Sequence, residues 1–223
     1  MKLGMSDIQT SDVICPNGMP AFYARPKNPT NRLPVVILMH ERYGLVQHTK
    51  DQAVRCARDG FATLAPNFFH KHPDLPALNK GDSRYDISDL EAIELLDESV
   101  AWLAGLGETD MNQLAIAGYC QTGRHPLVYA AKRKIAAAIV WYGAASKREW
   151  EIKEGQPEPL ESIIADLSCP VFGAFGSNDH IISVEDVRRF RDTLEDNLKD
   201  YDINIYSGAP HGWLNDTMPG RYR

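Results

Sequence analysis

The segment Leu114-Ala115-Ile116-Ala117-Gly118-Tyr119-Cys120-Gln121-Thr122-Gly123-Arg124 decides how the rest of the chain is read. Its first half is an apolar run, and its second half sets small residues around a cysteine, the pattern of a strand ending in a sharp turn into a helix. Gly118 and Gly123 allow the backbone to pass close to neighbouring elements. Such a turn lifts the Cys120 sulfur out of the sheet, next to the positive end of the following helix and to N–H groups without helical partners. Those surroundings favour thiolate and put a nucleophile beside oxyanion donors, the first being the backbone N–H of Gln121. Free cysteine also packs as a small hydrophobe, so this segment alone leaves a structural reading open.

Outward from the turn, the chain alternates between strand and helix signals. Val13 to Cys15 and Met19 to Ala24 flank Pro16-Asn17-Gly18, whose Asn-Gly pair predicts a tight antiparallel hairpin. Leu33 to Met39 is continuously apolar, as in a strand buried on both faces of a mostly parallel sheet. Thr49 to Arg58 reads as a helix closed by Gly60, Ala62 to Ala65 as a strand stopped by Pro66, and Ile87 to Leu103 as a long helix. Leu90, Ile93, Leu96, Val100 and Leu103 form the expected apolar stripe of that helix. His70 to Asp86 lacks a period and reads as a loop beside the site. Beyond the turn come a helix from Gly123 to Lys132, a strand from Ala136 to Tyr142, a helix around Leu160, a strand from Val171 to Phe175, a helix from Ser183 to Leu198, and a strand from Ile203 to Tyr206. The alternation predicts a doubly wound α/β sheet, mostly parallel, with helices on both faces, in one domain spanning residues 1–223.

Two further motifs follow predicted strands: Phe175-Gly176-Ser177-Asn178-Asp179-His180, and Tyr206-Ser207-Gly208-Ala209-Pro210-His211-Gly212-Trp213. Nucleophile, acid and histidine therefore occur in the chain order of α/β-hydrolases. His211 would take the Cys120 proton or hold it in a thiolate–imidazolium pair, and Asp179 would orient and stabilise the imidazole.

With His40-Glu41-Arg42-Tyr43-Gly44 after the first long strand, these motifs make the chain resemble the dienelactone hydrolase family, carboxymethylenebutenolidase-like α/β-hydrolases with a Cys-His-Asp triad. The resemblance runs from about Val13 to Asp216. It implies hydrolysis of a lactone or small ester through an acyl-enzyme, with a place in the degradation of aromatic compounds. It also implies that the Arg42 N–H is the second oxyanion donor. Glu41 would contact the resting thiol and help deliver thiolate when substrate binds; a salt bridge of Glu41 to Arg42 or Arg124 is the structural alternative. The chain departs from the family pattern in having Thr122 at the first late glycine and Asn215 where an arginine holds the substrate carboxylate. Arg84 or Arg42 is the candidate substitute. Tyr43, Tyr119, Tyr142, Trp213 and the Phe68-Phe69 pair could wall the substrate, and core packing explains each equally well. The family continues into a helix covering the sheet, whereas this sequence stops at Arg223.

Bulk properties exclude several classes. The sequence has 223 residues, 43% of them hydrophobic, enough for one large buried sheet. A net charge of −6 without a Lys/Arg block argues against nucleic acid and anionic membranes. No apolar stretch approaches the roughly 20 residues of a membrane span, and the first 12 residues lack a signal-peptide core, so a cytoplasmic monomer or homodimer with a small-molecule substrate is expected. Cys15, Cys56, Cys120 and Cys169 show no metal-ligand spacing, and no cofactor is implied. A glutamine amidotransferase would carry glutamate where Trp213 stands, and a thiol redox protein would want a resolving cysteine near Cys120. A catalytically silent ligand-binding protein on the same fold is the remaining alternative, prompted by Thr122.

Overall fold

Leu33–Met39 forms a strand, β3, whose residues are buried except Pro34, as its unbroken apolar composition requires. The other strands are β1 (Ile8–Ile14), β2 (Pro20–Pro26), β4 (Ala62–Pro66), β5 (Thr109–Tyr119), β6 (Ala137–Trp141), β7 (Val171–Gly176) and β8 (Tyr201–Tyr206). Helices are α1 (Gln47–Arg58), α2 (Leu75–Lys80), α3 (Asp89–Ala104), α4 (His125–Lys132), α5 (Leu160–Ala165) and α6 (Val184–Asp196). The computed structural model describes residues 2–217. The expected stop before a covering helix concerns residues 218–223 and lies outside the described residues. The strands share one mostly parallel sheet in the order β1, β2, β4, β3, β5, β6, β7, β8, giving the α/β fold. Among the described residues, 2–87 and 91–116 make one compact unit, and 88–90 with 117–217 a second.

In the first unit the hairpin forms as expected, with Ile14 opposite Pro20, Gly18 at φ 86° and the Asn17 side chain accepting from the Met19 N–H at 3.0 Å. β1 begins earlier than its apolar signal because most of its residues face solvent. α1 packs His48, Thr49, Ala53 and Ala57 inward, with β2 and β4 as its neighbours. Two expectations need correction. The segment 70–86 contains α2, whose start is fixed by the Asp74 side chain accepting from the Ala77 N–H at 2.9 Å. The stripe of α3 is also rotated from the predicted one: Ala92, Leu95, Leu96, Ser99 and Leu103 are buried, whereas Leu90 is 66% exposed. A helix with apolar residues on neighbouring stripes does not announce which faces inward.

In the second unit β6, β7 and β8 run parallel, Ala138 opposite Val171 and Val171 opposite Tyr201. The Ser183 hydroxyl accepts from the Asp186 N–H at 3.1 Å while Asp186 Oδ2 accepts from the Ser183 N–H at 3.0 Å, a reciprocal cap that starts α6. Its inner face is Val187, Phe190 and Leu194.

Each unit buries a histidine that burial pushes down to about 4. His40, in the first, has its Nδ1 2.8 Å from the Glu41 carbonyl and its ring against Phe68 and Phe69. His125, in the second, is lowered by burial despite the charge of Asp89. An unfolded imidazole near 6.5 takes up protons that the folded one refuses until about pH 4. Stability should therefore fall as pH drops through this window, by roughly 3 kcal/mol per histidine at most. Urea titrations at pH 7, 5.5 and 4.5 are expected to show that decline, and a flat profile across them would show the two imidazoles to be charged in the fold.

Candidate active site

β5 ends at Tyr119, and Cys120 adopts φ 54° in the left-handed region, where a side chain costs about 1–2 kcal/mol. Residues 120–124 form a tight 3₁₀ turn, and α4 begins at His125 rather than at Gly123. Pro126 falls in its first turn, where its missing N–H is harmless. Side chains are excluded all around. A Cβ on Gly118 would strike the Thr122 carbonyl, and one on Gly143 would lie 2.6 Å from the Cys120 oxygen and 2.7 Å from the Gly123 Cα. Thr122, the departure from the family pattern, is fully buried and useful to the turn. Its hydroxyl accepts from the Tyr119 N–H at 3.2 Å and lies 3.1 Å from the Tyr119 carbonyl, to which it donates.

The acid and the histidine come from loops after β7 and β8. At Gly176 a Cβ would collide with the Ala209 carbonyl, so only glycine lets the two loops meet. Asn178 N–H donates to the Ala209 carbonyl at 3.0 Å and Gly208 N–H to Ser177 Oγ at 2.8 Å, locking that junction. Asp179 Oδ1 accepts from the N–H groups of Ile181 and Ile182 at 2.8 and 3.0 Å. Its other oxygen lies 2.7 Å from His211 Nδ1, and His211 Nε2 lies 3.1 Å from Cys120 Sγ. The side chains of His211 and Asp179 are 6% and 0% exposed.

Burial works against a charged His211, but the bonds and charges of Asp179 and Cys120 outweigh it and carry the imidazole up to about 10. Burial likewise opposes the Asp179 carboxylate, yet His211 and the two backbone donors hold it below its ordinary value. Cys120, His211 and Asp179 thus form a hydrogen-bonded relay that can hold a nucleophilic sulfur next to a charged imidazole.

Tyr142 is fully buried at φ 37°, its ring 5.4 Å from His211, and Tyr119 stacks on Trp141 at 6.1 Å. Trp213 lies against Trp141, Tyr142 and Tyr206, completing an aromatic cluster at the histidine. Asn215 is buried and accepts from the Thr217 N–H and hydroxyl at 3.2 and 2.6 Å. In the first unit Glu41 is buried, the Arg42 Nη2 donates to the Gly81 carbonyl at 2.8 Å, and the Arg42 guanidinium covers the Tyr43 ring. Arg84 is exposed and paired with Asp86 at 2.6 Å. Phe68 and Phe69 are core residues around His40. Arg124 binds Asp89 and lies near Glu149. Sequence reasoning missed the Thr122 clasp and the Tyr142-Gly143-Ala144 bend, where Tyr142 and Ala144 have φ 37° and 58°. A glycine just past a strand was the available signal for the bend. Among the described residues no His/Cys/Asp/Glu cluster suits a metal, and no helix is long and apolar enough to cross a membrane.

The profile of the Dienelactone hydrolase family matches residues 19–223. A protein of Salmonella typhimurium provisionally named carboxymethylenebutenolidase is 32% identical over 209 residues, 91% of this chain and 76% of its own length. A counterpart in Escherichia coli is 31% identical with the same coverage. The crystal structure of a provisionally assigned dienelactone hydrolase from Klebsiella pneumoniae superposes with a TM-score of 0.85 at 29% identity, covering 97% of this chain and 92% of that one.

Thr122→Val removes both hydroxyl bonds to Tyr119 and should destabilise the protein by about 1–3 kcal/mol. It should also slow alkylation of Cys120 by iodoacetamide, whereas Thr122→Ser keeps both properties near wild type. Equal behaviour of the two variants in denaturant titration and alkylation would assign Thr122 to packing alone.

Proposed function

On the premise that the chain belongs to the dienelactone hydrolase family, and so is an ester and lactone hydrolase acting on a small molecule, we propose that Cys120 is its nucleophile and that the reaction passes through an acyl-enzyme. The observation carrying this reading is the 3.1 Å approach of His211 Nε2 to Sγ, with Nδ1 held by Asp179 at 2.7 Å. In the first half-reaction the Cys120 sulfur attacks the carbonyl carbon, an S–C bond forms and the C–O bond of the lactone or ester breaks. The His211 imidazolium gives its Nε2 proton to the departing oxygen. Water then attacks the thioester while His211 takes one of its protons, and cleavage of the S–C bond restores thiolate and imidazolium. Asp179 stays ionised throughout and orients the ring.

The backbone N–H groups of Gln121 and Arg42 are our proposed donors to the tetrahedral oxyanion. Commitment of the Arg42 side chain to Gly81 and Tyr43 supports a role carried by its backbone. Tyr119, Tyr142 and Trp213 are proposed to line the substrate side of His211, with Tyr43 as a further wall. The exposed pair of Arg84 with Asp86 gives it the weakest support as a carboxylate anchor, and Asn215 is turned to Thr217. The substrate is therefore proposed to be a lactone or small ester held mainly by apolar contact. We also take the chain to work as a single α/β-hydrolase domain, in the cytoplasm, as a monomer or homodimer without nucleic acid. Against a redox role, burial pushes Cys15 and Cys56 up to about 11 and raises Cys169 as well, so none of them is a ready resolving thiolate.

Cys120→Ala and His211→Ala should each cut p-nitrophenyl acetate turnover by several orders of magnitude while leaving circular dichroism unchanged. Near-normal turnover in Cys120→Ala would remove the covalent mechanism, and a silent protein in every form would favour the binding-protein reading. Glu41, following the family resemblance, is proposed to act on the ionisation of the thiol. Alkylation of wild type should then be slow until a competitive lactone analogue binds, and Glu41→Gln should erase that ligand dependence. Superimposable pH profiles for the two proteins would make Glu41 a structural residue.

A further inference from the structure

Four residues after the nucleophile, Arg124 closes the 3₁₀ turn with a guanidinium that is only 4% exposed. Its Nε and Nη2 grip both oxygens of Asp89 at 2.9 and 3.0 Å. Nη1 donates to the Glu149 carbonyl at 3.2 Å, with the Glu149 carboxylate 3.7 Å away, and Nη2 also donates to the Glu158 carbonyl. Four of its five N–H donors are thus used on three residues remote from it in sequence, Asp89, Glu149 and Glu158.

The surroundings are built to the same plan. The buried Gln156 amide donates to the carbonyls of Arg148, Glu149 and Glu151, and the Asp89 N–H donates to Gly155 at 2.8 Å. Segment 148–158 is therefore folded around the guanidinium. Two carboxylates face it, Asp89 and Glu149, and Arg148 also reaches Glu149 at 2.9 Å. His125 lies 3.8 Å from Asp89 and adds no charge at neutral pH, because burial keeps it neutral. Burying such a set to gain stability alone is poor economy, since apolar packing of equal volume often does as well. A planar fork pinned at both ends instead fixes direction. The turn it closes holds Cys120 in a left-handed conformation that needs restraint from outside.

We infer that Arg124 is a positioning residue for the nucleophile: its fork on Asp89, Glu149 and Glu158 holds the 120–124 turn so that the sulfur stays within reach of His211. It never touches the reacting atoms. The inference rests on the proposed role of Cys120, but it is read through the reactivity of that thiol and not through turnover alone.

The test compares Arg124→Lys, Arg124→Met and the double variant Asp89→Asn/Arg124→Gln, which removes both charges of the buried pair together. Each is assayed for p-nitrophenyl acetate hydrolysis and for the pH dependence of Cys120 alkylation by iodoacetamide, with mass-spectrometric assignment of the modified cysteine. Arg124→Lys keeps the charge but not the fork. It should lower kcat at least tenfold with KM changed less than threefold, and move the alkylation profile to higher pH. The double variant should show the same shift with thermal stability closer to wild type than Arg124→Met. Folded variants with wild-type kcat and an unshifted alkylation profile would overturn the inference, as would failure of all three to fold, which would make the network structural only. If Cys120→Ala retained turnover, the hydrolytic role of Cys120 would fail separately, and the alkylation profiles would still decide the role of Arg124.

Discussion

A single backbone angle governs the second unit: Cys120 must sit at φ 54°, immediately after a buried strand. L-residues avoid that region because Cβ meets the carbonyl, so the conformation persists only if its neighbourhood enforces it. Three glycines with no room for a side chain, the Thr122 hydroxyl folded back onto Tyr119, and the guanidinium of Arg124 surround the turn. Each restrains a different part of one short segment. The sulfur is presented at the strand end because nothing in that segment can relax.

The same logic extends to the partners of the sulfur. β5, β7 and β8 end in segments that carry Cys120, Asp179 and His211, and the loops after β7 and β8 meet at Gly176 and Ala209 with no space for a Cβ. Close backbone approach, more than side-chain packing, sets the distances that matter to the chemistry. For this reason the three residues brought together here, Cys120, Asp179 and His211, could be picked out from small residues and strand ends.

Much of the fold was legible because periodicity reports burial. β3 and β4 coincide with their apolar runs almost residue for residue, and the Asn17-Gly18 turn dictated the hairpin. Less legible was whatever depends on partners distant in sequence. The inward face of α3 is chosen by what it packs against, and Leu90 carries no mark of its exposure. Arg124 and Asp89 stand 35 positions apart, so no local pattern joins them. Cys120, Asp179 and His211 were legible as a set because each follows a strand, whereas Thr122 looked like an intrusion until its hydroxyl was seen to bond Tyr119 in both directions. For Glu41, Arg42 and the aromatic residues the sequence supplied residue types without orientation.

The two oxygens of Asp179 serve different masters: one is consumed by the N–H groups of Ile181 and Ile182, the other is turned to His211. A carboxylate can only accept, so the ring nitrogen facing it must carry hydrogen, and in the neutral ring the lone pair is left on the nitrogen that faces sulfur. The acceptor-only carboxylate thus sets the tautomer, and the two backbone amides on its far side fix which oxygen is turned to the ring. An amide side chain in the same seat could keep those amides satisfied only by swinging its NH2 toward the imidazole. The neutral ring would then carry its hydrogen on Nε2, with its lone pair turned to the amide instead of to the sulfur.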